Sequence, residues 1–63
     1  MPTNKDLIRM HLEEWLTETK QEGFATCRDA IAFCLGYYGY VDMDIIDVIS
    51  DMAIAGKLKE PTF

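Results

Sequence analysis

Three stretches of apolar residues at helical spacing, each followed by a glycine, constrain this chain more than any other feature. In the first, Leu7, Ile8, Leu12, Trp15 and Leu16 recur on one side, while Arg9, Glu13, Thr17 and Lys20 fall on the other. Thr3 or Asn4 supplies the start and Gly23 the stop, which predicts a helix over residues 4–22. The second stretch opens with Thr26-Cys27-Arg28-Asp29, a relative of the capping box. Ala30, Ile31, Cys34, Leu35 and Tyr38 follow at helical spacing, and Gly39 closes a helix over residues 27–38. Asp42 caps the third, whose stripe of Ile45, Ile46, Ile49, Met52 and Ala53 runs to Gly56 and predicts a helix over 42–55.

The tail from Lys57 to Phe63 has room for one short strand, and Phe24 to Thr26 offers it a partner. The expected fold class is therefore all-α or nearly so. It is a three-helix domain with at most one short two-stranded β pair, spanning residues 1–63 as a single unit.

Sixty-three residues lie near the lower limit for a core without staples, and 49% hydrophobic composition is enough to build one. Disorder needs lower hydrophobicity than this. A second copy would add burial, so a homodimer stays open. The first residues, Met1 to Asp6, are polar and have no apolar stretch, so no secretory leader is expected. No apolar run approaches the ~18 residues of a membrane span. Two cysteines fall short of a disulfide framework, and the expected location is the reducing cytoplasm.

Cys27 and Cys34 are two helical turns apart, ~10.5 Å along the axis, too far for a bond within a regular helix. Their spacing also departs from that of zinc-finger pairs, so both are read as core thiols. No metal ion and no cofactor is expected. His11 and Trp15, one turn apart on the apolar side of the first helix, read as packing residues. One histidine, Ser50 and two core thiols do not compose a nucleophile, base and orienter, so the chain is not expected to be an enzyme.

The formal net charge is −5, which disfavours a non-specific nucleic-acid coat and an anionic membrane surface. The acidity is concentrated in the third helical stretch, where Asp42, Asp44, Asp47 and Asp51 stand without a Lys or Arg. Asp44, Asp47 and Asp51 fall within a strip ~60° wide, opposite the Ile45, Ile49 and Met52 face.

The pattern Thr26-x3-Ala30-Ile31-x3-Leu35-Gly36, followed by Val41-x3-Ile45-x3-Ile49-x2-Met52-x3-Gly56-Lys57-Leu58, resembles the helix-turn-helix superfamily, and its winged-helix branch most of all. The resemblance covers about two thirds of the chain and implies a helix, a tight turn and a second helix before a wing. It rests on hydrophobic spacing, so no functional residue is carried over. Two departures matter. Only seven residues remain after Gly56, too few for a full wing. The helix placed to read DNA presents carboxylates, which repel phosphates and meet mostly acceptor-bearing base edges.

Two readings of the acidic strip stand side by side. It is either a solvated face that keeps a small protein soluble or a surface for a partner protein with a basic groove. In the second reading the contact set is Met43, Asp44, Asp47, Ser50, Asp51 and Ile54, with Tyr37 and Tyr40 of the Gly36-to-Tyr40 turn adjacent. The leading functional expectation is an acidic, non-catalytic protein-binding regulator, such as a phage-type inhibitor of a nucleic-acid-handling or transcription machine. One alternative is a DNA-binding transcription regulator, for which Lys5, Arg9, Lys20, Arg28, Lys57 and Lys59 must converge. The other is a structural dimerisation module.

Overall fold

Thr3, Thr26 and Asp42 each hold an extended backbone and turn the chain into a helix. In the computed structural model, which describes residues 3–59, these are α1 (Asn4–Thr19), α2 (Cys27–Tyr38) and α3 (Met43–Ile54). The Thr3 and Thr26 hydroxyls accept from the backbone N–H groups of Asp6 and Asp29, whose carboxylates accept from the cap N–H groups in return. These reciprocal bonds are complete capping boxes, with aspartate in the role usually taken by glutamate. At Asp42 the carboxylate accepts from the Ile45 N–H at 3.0 Å. α3 falls one residue inside the expected 42–55 at each end, while the starts of α1 and α2, the whole extent of α2 and the all-α class match the sequence expectation.

The end of α1 does not. The helix stops at Thr19, three residues before the expected end, with Lys20 in the left-handed region at φ 55°. The Lys20 and Gln21 N–H groups bond back to Thr17 and Leu16, closing the helix as a Schellman motif. Gly23 serves another purpose. Its N–H donates to the Lys57 carbonyl at 2.9 Å, where the tail returns alongside the segment before α2. Lys59 N–H then donates to Ala25, and Cys27 N–H to Lys59, around a single parallel bridge between Thr26 and Lys59. Among the described residues the expected β pair consists of one bridge, and the rest of the tail, from Glu60 on, lies outside them.

α3 is the central element. α1 and α2 each pack closely against it, while their own backbones meet at few points. Four of its side chains, Ile45, Val48, Ile49 and Met52, are buried together with Ile8, Leu12, Leu16, Ala25, Ala30, Cys34 and Leu58. Each large aliphatic side chain buried this way contributes about 1.5–3 kcal/mol. The apolar stripes are wider than the core they feed. Leu7, Ile31, Leu35 and Ile46, all assigned to stripes by spacing, remain exposed, whereas Val48 is fully buried. A three-helix domain of this size has too little neighbouring surface to cover a wide stripe.

The two thiols differ. Cys34 is fully buried, and burial pushes its thiol up to about 11. Cys27, at the first turn of α2, is only half-buried, so the expectation of two core thiols holds for Cys34 alone. In native protein at pH 8, Cys34 should resist alkylation by iodoacetamide until the domain unfolds, because it is both covered and protonated. Peptide mapping of the label over time checks this, and labelling of Cys34 at the rate of a free thiol would contradict it.

Candidate functional site

The contact set expected from the sequence draws on α3 and on the aromatic residues at the end of α2 and just after it. On α3, Met43, Asp47, Ser50 and Ile54 are spaced i, i+4, i+7 and i+11, so they form one outward line ~16 Å long. The core residues occupy the opposite side of the same helix. Met43 and Ile54, at the two ends of that line, are 68% and 80% exposed. Asp42 fixes where this line begins, because its cap sets the first helical residue at Met43.

Asp44, Asp47 and Asp51 form the acidic strip, and α1 runs beside it. Asp44 accepts from the Asn4 side-chain amide at 3.1 Å, Asp47 from Lys5 Nζ at 3.1 Å, and Asp51 pairs with Arg9 Nη2 at 3.5 Å. The spacing of Lys5 and Arg9, one turn of α1, matches that of Asp47 and Asp51 on α3. The result is a two-rung charge ladder across the helix pair. The bonded Asp47 carboxylate raises the Lys5 pKa above its ordinary value, with smaller contributions from the charges of Asp44 and Asp51. The strip therefore faces α1 as well as water. It is satisfied from within the fold by pairs that stay half-exposed to water. On the same flank of α1, Glu13 pairs with Lys57 of the tail and raises that lysine's pKa.

Lys5 and Arg9 lie one turn apart on α1, and Arg9 and Lys57 line a common hollow with Glu13 and Asp51. Lys5, Arg9 and Lys57 are each matched to a carboxylate, which leaves little net positive field from those three. A DNA-binding surface needs such cations unpaired and convergent.

Tyr37 and Tyr40 make their ring contacts with His11, Phe33 and Tyr38. Among the described residues, neither shares a ring contact or hydrogen bond with the α3 line. Tyr37 lies 5.2 Å from His11, 5.4 Å from Phe33 and 4.9 Å from Tyr38 between ring centroids, and Tyr40 neighbours Tyr38. Trp15 of α1 stacks on Phe33 of α2 at 4.8 Å with the ring planes 10° apart. His11 Nδ1 and the Tyr38 hydroxyl are hydrogen-bonded at 2.6 Å. Burial raises the Tyr38 pKa, with smaller contributions from Cys34, Tyr37 and Tyr40. These rings span the space between α1 and α2, where the backbones stay apart. His11 and Trp15 thus do pack, as their spacing implied. Phe33 was missed, although its i, i+4 relation to Tyr37 is the same signal that links His11 to Trp15.

Among the described residues, no group of three or more His, Cys, Asp or Glu side chains converges in a way that could hold a metal ion. Ser50 is exposed on α3 and His11 is committed to the aromatic set, so the two do not form a nucleophile–base pair. No described helix is long and apolar enough to cross a membrane. No family model, curated protein or solved structure matches this chain.

Proposed function

We propose that this protein is a non-catalytic regulator that binds another protein through the outward line of α3, Met43, Asp47, Ser50 and Ile54. The observation that carries the reading is the exposure of Met43 and Ile54 at either end of that line. Two large apolar side chains flanking polar residues on one rigid helix suit a helix laid into a partner's groove, with anchors at i and i+11. Asp44 and Asp51 border the line and supply its negative charge, so the partner surface is basic.

The ion pairs with Lys5 and Arg9 do not oppose this. Exposed pairs of this kind are worth little, and a basic partner exchanges them for intermolecular ones at small cost. The overall charge of −5 also steers a basic partner towards the protein. Occluding a nucleic-acid site on such a partner is the form of regulation that this chemistry suits best. The reducing cytoplasm suits the two thiols.

The test is capture from native lysate on the immobilised protein, with and without nuclease. A stoichiometric protein partner retained after nuclease is the expected result. Recovery of partners only through nucleic acid would overturn the reading and move a DNA-binding role to the front.

A further inference from the structure

The charge ladder has a consequence for where uncompensated acidity lies. With Asp44, Asp47, Asp51 and Glu13 engaged, and Asp6, Asp29 and Asp42 committed to helix caps, Glu14 and Glu18 of α1 have no ion-pair or hydrogen-bond partner among the described residues. They are one helical turn apart and both exposed. They also border a hollow of about 120 Å³ whose other walls are His11, Trp15, Phe33 and Tyr37.

Four aromatic rings and two free carboxylates on one hollow specify the charge and shape of an occupant. The faces of Trp and Tyr rings attract cations, and a planar guanidinium stacks on them while its edge donates to a carboxylate. A nucleotide base would also stack, but its phosphates would meet Glu14 and Glu18 with no Lys or Arg lining the hollow. The volume is well below the roughly 300–1,000 Å³ of a small-molecule site and suits the head of one side chain. Tyr37, 58% exposed, leaves ring surface open to an incoming group.

We infer that the hollow between α1 and α2 is a recognition site for an arginine side chain presented by a basic partner protein, with Trp15 and Tyr37 as stacking surfaces and Glu14 and Glu18 as acceptors. This rests on the reading above only for the partner's basic character. It does not require the α3 line, and a partner that uses both is held at two points on the domain.

The experiment is an NMR titration of the isotopically labelled protein with a peptide of alternating glycine and arginine, followed at the Trp15 indole N–H and the Glu14, Glu18 and Tyr37 signals. Saturable shifts at these four positions are expected with the arginine peptide and not with its uncharged citrulline counterpart. Lysine in place of arginine should bind several-fold more weakly, since it lacks the planar fork. The Glu14→Gln/Glu18→Gln variant should weaken arginine-peptide binding by about fivefold at low salt, in line with two exposed charge pairs. Tyr37→Ala, at an exposed position, should weaken it without unfolding the domain.

Equal shifts with citrulline would overturn the inference, as would arginine-peptide shifts centred on Asp44, Asp47 and Asp51. Stronger perturbation of the same signals by oligothymidylate would replace arginine with a base as the occupant. Since the readout is at the hollow and uses a short peptide, its failure is separable from failure of lysate capture.

Discussion

Leu12→Ala should remove about 3 kcal/mol of folding stability and lower the melting temperature by roughly 15 °C. Leu12 is completely buried at the centre of α1. The truncation loses the transfer free energy of the side chain and leaves a cavity in the shared core, which α3 cannot close without losing its contacts to α2. A chain of this length has a total stability of only roughly 3–9 kcal/mol, so the truncation removes about a third or more of it. Leu7→Ala is the control. Leu7 belongs to the same sequence stripe but is 41% exposed, and its truncation should cost under about 1 kcal/mol. Urea denaturation of the pair checks both. Equal losses would mean that the stripe, rather than the observed burial, describes the core.

Reversing the ladder tests the electrostatic account. The Asp47→Lys/Asp51→Lys variant places lysines against Lys5 and Arg9, so two attractions become two repulsions. A fall in melting temperature of roughly 5 °C is expected at low ionic strength. Most of it should vanish at about 1 M salt, where the Debye length is roughly 3 Å. Adding Lys5→Asp and Arg9→Asp restores opposite charges across the helices and should recover most of the loss. That recovery is the measurement that matters, because it reports coupling between the two helices rather than any helix propensity change. Absence of recovery would mean that the ladder contributes nothing to the fold.

The elements were legible in the sequence because their ends carry local chemistry. Thr3, Thr26 and Asp42 bond to backbone N–H groups within one turn, and Gly39 and Gly56 take up the left-handed conformations that close α2 and α3. Lys20 was not legible as a stop, since a lysine rarely adopts φ above zero and Gly23 offered a better candidate. What local spacing could not supply was which flank of α1 faces α3. Arg9 and Glu13 lie off the apolar stripe, yet that flank meets the acidic strip and the tail. The same missing information hid the hollow. Glu14, Trp15, Phe33 and Tyr37 come from two helices whose relative rotation is set by their separate packing on α3, and no spacing within either helix encodes it.

The claim that α3 binds through its apolar ends is tested most directly by the affinity of the captured partner for two variants. Met43→Ser/Ile54→Ser should fold normally, since both side chains are largely exposed, and should weaken binding at least tenfold by removing two apolar anchors. Asp47→Asn/Asp51→Asn should weaken it less and mainly at low salt. Unchanged affinity of the Met43→Ser/Ile54→Ser variant would contradict the account and place the partner on another face of the domain.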